Sequence, residues 1–302
     1  MENSKMLTVS EAPHIRDKSS ISSIMWNVNL SLVPALIAGV YFFGLRSLSV
    51  VLISVLSAVI SEAAYQFFTK KKITVNDGSA VVTGILIAFC LPPGLPLWMA
   101  AIGSAFGIIV AKHLFGGLGH NIFNPALVGR AVLLASFPVQ MTTWTLPLKG
   151  VTGATPLAIV KLKLGQTLPG YFDLFIGKVG GCIGETSVLL LLIGAGFLFY
   201  KKIITWYIPV SFLVSMIMFS KLFGRDPIFE IMAGGAILGA FFMATDMVTT
   251  PQRPSGEMIF GAGAGLITVI IRKWGGYPEG VCYSILLMNA VTPIIDRYQR
   301  RG

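Results

Sequence analysis

The sequence runs to 302 residues, of which 54% are hydrophobic and only 12% charged, with a mean hydropathy of +0.78. That balance excludes a soluble domain of this size and makes lipid the solvent. The formal charge of +10 does not point to nucleic acid, because the Lys and Arg residues gather at the ends of apolar runs and read as topology signals.

Residues 1–23 form a polar tail carrying Glu2, Lys5, Glu11, Arg16, Asp17 and Lys18, without the pattern of a cleaved signal peptide, so the first apolar run is expected to be retained. From 24 to 296 the apolar runs follow one another closely enough for one transmembrane domain, with 297–302 as a short tail. Matching the runs to a span of about 20 residues, with shorter ones allowed where helices break, predicts helices near 24–43, 47–68, 78–91, 96–115 and 123–137. A second set is predicted near 185–200, 203–222, 228–245, 256–273 and 279–296. The fold class is therefore an all-α polytopic membrane protein of about ten transmembrane helices, the third, fifth and sixth short enough to be half-helices.

Counting basic residues orients the chain with both termini inside: thirteen fall in the inner segments, among them Lys70, Lys71, Lys72 and Lys112. Arg46, Lys221, Arg225, Arg272 and Lys273 fall in short outer segments, and 138–184 becomes a long outer loop. The halves also echo each other. Gly103, Gly107, Gly116 and Gly117 match Gly261, Gly265, Gly275 and Gly276 at offsets of 158 and 159. Units of five helices enter the membrane in opposite senses, so a true repeat is an inverted 5+5 repeat, an architecture of transporters. Chance alignment of glycines at helix contacts is the competing explanation.

Long loops are uncommon and usually functional, and this one contains Val151-Thr152-Gly153-Ala154-Thr155-Pro156-Leu157. By spacing alone it reads as a helix start, with Thr155 as N-cap and Pro156 at the first helical position. Thr-Gly-Ala-Thr-Pro-Leu also resembles the flavin-attachment motif of the D-type membrane component of the Rnf complex, the ion-translocating ferredoxin:NAD oxidoreductase, and of the B-type component of the sodium-translocating NADH:quinone oxidoreductase. Three further stretches resemble that family: Asn76-Asp77-Gly78-Ser79 leading to Leu91-Pro92-Pro93, Asn121 to Gly129, and Ala244 to Pro251. The resemblance implies covalent FMN on Thr155 through a phosphoester, with Thr152, Gly153 and Ala154 completing the motif, and leaves room for riboflavin as a second flavin. It implies the A-, B-, C-, E- and G-type components of an Rnf complex as partners, Na⁺ or H⁺ as the translocated ion, the bacterial inner membrane as location, and a flavin loop on the outer face. One position departs from the family: Lys149 stands where an acidic residue usually precedes the flavinylated Thr.

Ionisable groups in apolar runs cost roughly 2.5–3.5 kcal/mol to insert and persist where paired or functional. Glu62, Lys112, Arg130, Glu230 and Asp246 qualify. Lys112 and Glu230 read as helix-end side chains snorkelling to water. Arg130 is open between a structural ion pair and a flavin-phosphate contact; Asn124 is assigned with it to the flavin, and Asn124-Pro125 and Asp77-Gly78 equally read as helix-start caps. Asp246, among Thr245, Thr249, Thr250 and Pro251, is open between capping a broken helix and binding a cation, and joins Glu62 and Asp77 as a residue of the ion pathway. Cys90, Cys182 and Cys282 lack a CxxC pairing and read as packing residues. Trp98, Trp144, Trp206 and Trp274 fall where interface belts form. A channel or secondary transporter without a redox cofactor is the alternative function.

Overall fold

The computed structural model describes residues 20–148 and 150–299. Most of the polar tail, Lys149 and the last three residues, 300–302, lie outside them.

Helix α1 (Ile21–Phe43) starts where the Ser20 hydroxyl accepts the Ser23 N–H at 3.1 Å, and it ends at Gly44, whose φ of +76° lets α2 (Leu45–Phe68) follow after one residue. Among the described residues these two and α13 (Pro254–Trp274) are the three helices long and apolar enough to cross a membrane. Only 33–39% of each apolar stretch is buried inside the protein, so the remaining side chains face outward, as lipid contact requires.

The other apolar helices are shorter: α3 (Ser79–Phe89), α4 (Leu97–His113), α5 (Pro125–Ser136), α9 (Val188–Tyr200) and α10 (Tyr207–Leu222). The last turns of α4, Gly107–His113, are π-helical. The final helix, α14 (Val281–Gln299), carries Asn289, Thr292, Pro293 and Asp296. The predicted boundaries lie within a few residues of these, and the third, fifth and sixth runs are indeed short.

The predicted eighth helix, 228–245, is broken. It divides into α11 (Pro227–Met232) and α12, a turn at Ala236–Leu238 running into a π-helical Gly239–Met243. The break is at Gly234 and Gly235, with φ of +63° and +67°, a conformation that L side chains rarely adopt. The guanidinium of Arg272 donates to the freed carbonyls of Ala233 at 2.9 Å and Gly234 at 3.1 Å, replacing the lost helical bonds.

Between α5 and α9 the chain forms α6 (Pro138–Met141), a two-residue antiparallel pair β1 (Trp144–Thr145) and β2 (Thr152–Gly153), α7 (Pro156–Leu162) and α8 (Tyr171–Ile176). This region is anchored at several points. Leu148 N–H donates to Phe42 at the end of α1, and Ile183 and Gly184 N–H donate to Leu91 and Phe89, the open C-terminal carbonyls of α3. Those bonds let α3 end inside the protein. Trp144 is buried within this region, so it is a packing residue and not part of an interface belt; Trp98, Trp206 and Trp274 are exposed.

Candidate functional site

Thr155 caps α7: its backbone is extended and its hydroxyl accepts the Ala158 N–H at 3.2 Å. The residue is 5% exposed and lines a cavity of about 20 Å³ with Gly180, Gly181, Glu185, Thr186, Gly234 and Glu279. That volume holds roughly one water-sized group. Gly153 packs under Leu146 so tightly that a Cβ there would meet Leu146 Cγ at 2.7 Å. Thr152 is exposed and Ala154 half-buried. Lys161 ties α7 to the α13–α14 connection by donating to Tyr277 O at 2.7 Å and Ile271 O at 3.1 Å. Burial, then Arg225, holds the Lys161 ammonium below its ordinary pKa.

Arg130, from the middle of α5, pairs with Glu279, and Glu279 lines the Thr155 cavity. The structural ion pair is therefore present, and it ends at the wall of the site that the motif marks. Asn124 is elsewhere. It caps α5, accepting from Ala126 N–H at 3.0 Å, and its Nδ2 donates to Met243 O at 3.1 Å. The Asn124 N–H in turn donates to Asn289 Oδ1 at 3.2 Å.

Asn124 thus sits with Asp246, which shares with it, Ser79, Lys112 and Asn121 a cavity of about 70 Å³. Asp246 accepts from Val248 N–H at 3.3 Å and the Thr249 hydroxyl at 3.2 Å, which caps the break that follows α12. Beyond it opens a cavity of about 500 Å³ lined by Thr249, Gln252, Asn289, Asp296 and Arg297.

Lys112 and Glu230 correct the snorkelling expectation: they are 2% and 1% exposed. Lys112 Nζ donates to both Glu62 oxygens at 2.8 and 2.9 Å and to Ser79 Oγ at 2.7 Å, and Ser79 donates to Asp77 at 2.6 Å. Glu62 and Asp77 are thereby joined in one network through a lysine that spacing alone had sent to water. His113 Nε2 lies 3.3 Å from the same Glu62. Glu230 holds Arg225 at 2.5 Å and Arg272 at 2.8 Å. Arg272, at the end of α13, is fully buried, and its guanidinium donates to the carbonyls that the Gly234–Gly235 break frees.

Two polar clusters therefore lie at separate levels along α5. Asn124 and Arg130 are six residues apart on α5, about 9 Å along the axis. Between them lie buried sulfurs: the Cys282 thiol donates to Leu127 O at 3.5 Å, and Cys90 Sγ is 3.9 Å from Met243 Sδ. All three cysteines are free and buried.

A family model described as "NQR2, RnfD, RnfE family" matches residues 8–302. The chain belongs to this family. Among curated relatives, the D-type component of the Na⁺-translocating ferredoxin:NAD⁺ oxidoreductase complex of Acetobacterium woodii is 53% identical over 99% of this chain and 95% of its own. The D-type component of the proton-translocating complex of Clostridium ljungdahlii is 50% identical over 97% of this chain and 94% of its own. Its counterpart in an ion-translocating oxidoreductase complex of Stutzerimonas stutzeri is 40% identical over 94% and 92%. Glu185 and Glu279, which line the cavity beside Thr155, are not among the residues that the sequence singles out. Each stands at the first position of a predicted run, 185–200 or 279–296, where a charge at a helix end is ordinary; in the structure both lie in the loops just before α9 and α14.

Proposed function

We propose that this chain is the D-type membrane component of a redox-driven Na⁺ or H⁺ pump of the ferredoxin:NAD⁺ oxidoreductase type, and that it carries FMN as a phosphoester on Thr155. In this reading it sits in the bacterial inner membrane, N-in and C-in, with the region 138–184 outside and the A-, B-, C-, E- and G-type components of the complex as partners. The observation that carries the assignment is the near full-length relation to D-type components of such complexes, together with the Thr-Gly-Ala-Thr motif. The two relatives named for different ions are nearly equally similar to the chain, so overall identity favours neither ion.

The residues around Thr155 fit a phosphoester. Its Oγ1 is used as an acceptor by Ala158 N–H, and an ester oxygen retains a lone pair for that bond. The cavity behind Thr155 admits a water-sized group and not a flavin ring, so the phosphate and flavin belong on the outward side, where Val151 and Thr152 are exposed. Bound there, FMN supplies one- and two-electron transfer. The β1–β2 pair and the Lys161 bonds hold Thr155 in register with the Arg130–Glu279 pair behind it.

The inverted repeat is part of this reading. Ser57 of α2 donates to Ala101 O of α4 at 2.7 Å, and Ser215 of α10 donates to Ala262 O of α13 at 2.7 Å. Glu62–Lys112 and Glu230–Arg272 are likewise buried acid–base pairs, one in each half. The glycines that raise the idea support it less: Gly107 abuts Pro125 O of α5, whereas Gly265 abuts the Phe212 carbonyl of α10.

Intact mass and in-gel flavin fluorescence of the chain co-expressed with a flavin transferase test the assignment. The native chain and Thr155→Ser gain one FMN, and Thr155→Val gains none. An unmodified native chain beside an active transferase overturns the cofactor reading and makes Lys149 decisive.

A further inference from the structure

Behind Thr155 the charges do not balance. A carboxylate oxygen of Glu185, one of Glu279 and the Cys182 sulfur lie within 4.8 Å of one another. The facing groups come from five elements. Arg130 of α5 pairs with Glu279. Among the described residues Glu185, in the loop before α9, accepts only the Cys182 N–H, at 2.9 Å. Cys182 itself is turned to the Cys90 carbonyl, at 3.2 Å. Cys90 follows α3 and Cys282 lies on α14, both uncharged thiols in ordinary conditions. Arg272 of α13 reaches the far wall at Gly234, but its charge is set on Glu230 at 2.8 Å. Of the two carboxylates, only Glu279 is paired with a guanidinium among the described residues.

A second observation points to an occupant. Thr186 lines the same cavity, is 2% exposed, and its hydroxyl oxygen, a possible cation ligand, has no hydrogen-bond partner among the described residues. Buried polar atoms without partners are rare and mark a missing water or ion. The space, about 20 Å³, accommodates one such particle and nothing larger.

We propose that Glu185, Glu279 and Thr186 form a site for one small monovalent cation, Na⁺ or a proton held between the carboxylates, next to Thr155. The chemistry shared by the two occupants is a single positive charge that neutralises the second carboxylate. Two carboxylates that close do not both stay ionised unpaired. When Na⁺ enters, one proton leaves, so the exchange is one for one. The site is carried by the geometry and holds whether or not Thr155 bears FMN; its place beside the redox group rests on the proposed function.

The test uses the purified complex, with infrared difference spectra and proton release recorded on adding NaCl, against choline chloride. Thr155 flavinylation is read separately by in-gel fluorescence, so loss of the flavin and loss of the cation site are told apart. In the native protein a protonated-carboxyl band is present without Na⁺ and absent from Glu185→Gln, which keeps an acceptor for the Cys182 N–H. If Na⁺ removes the band and releases one proton per chain, and does neither in Glu185→Gln, the occupants exchange. If the band ignores Na⁺ but still vanishes in Glu185→Gln, the occupant is a proton alone. Thr186→Val, of nearly the same shape, weakens Na⁺ binding at least tenfold where Na⁺ binds, and leaves the carboxyl band in place. Absence of any band or Na⁺ response that depends on Glu185 overturns the proposal. Glu279→Gln serves as the second variant should Glu185→Gln fail to fold.

Discussion

At the scale of single residues, burial decides what a charge does. Lys112 has three partner atoms, two of them on Glu62, and all belong to buried residues. Removing one member of such a pair leaves an uncompensated charge, which costs about 3–5 kcal/mol, whereas replacing both by apolar groups is often neutral. Glu62→Gln is therefore expected to lower the melting temperature of the detergent-solubilised protein steeply, and Glu62→Leu combined with Lys112→Met to recover most of the loss. A double variant no more stable than the single one speaks against the pair as the cause. The capping residues work on a smaller scale. Asn124, Thr155 and Asp226 each cap a helix start through a side-chain oxygen, a contribution of about 1 kcal/mol apiece. Capping and function coexist at Thr155, because the same oxygen that accepts from Ala158 is the one an ester uses.

At the scale of elements, close approach of backbones fixes where the short helices sit. A Cβ on Gly107 of α4 would lie 2.6 Å from Pro125 O, and one on Gly129 of α5 2.6 Å from Gly103 O. Backbone cannot give way as a flexible side chain does, so either alanine forces α4 and α5 apart at about 1–3 kcal/mol. Gly107→Ala and Gly129→Ala should each lower thermal stability, while Gly196→Ala, with nothing within 4 Å, should leave it unchanged or raised slightly. Melting curves of the three variants check this directly, and an equal loss in all three refutes the packing explanation. The breaks in α11–α12 and after α3 are tolerated for a related reason. Arg272 and the 183–184 backbone supply the hydrogen bonds that the interrupted helices lack.

At the scale of the whole molecule, the short helices bring two polar clusters to within about 9 Å along α5, with Leu127, Cys90, Cys282 and Met243 at the layer between them. The proposed topology is testable because all three native cysteines are buried, so a membrane-impermeant maleimide sees mainly introduced ones. Thr152→Cys, at an exposed position, should label in intact cells, and exposed Lys71→Cys only after permeabilisation. The reverse pattern inverts the orientation.

The sequence by itself determined the membrane class, the helix positions to within a few residues, the caps and the family motif. These depend on apolar run length, local hydrogen bonding and residue identity, which are properties of neighbours along the chain. Tertiary structure alone decided which charges meet. Glu62 and Lys112 are 50 residues apart, Glu230 and Arg272 42, and Arg130 and Glu279 149. It also decided that Lys112 and Glu230 point inward and not to water, that Asn124 joins Asp246 and not Thr155, and that Glu185 and Glu279 converge behind Thr155. A side chain's partner across a fold has no signature in local spacing, because helix periodicity tells which face a residue occupies and not what faces it.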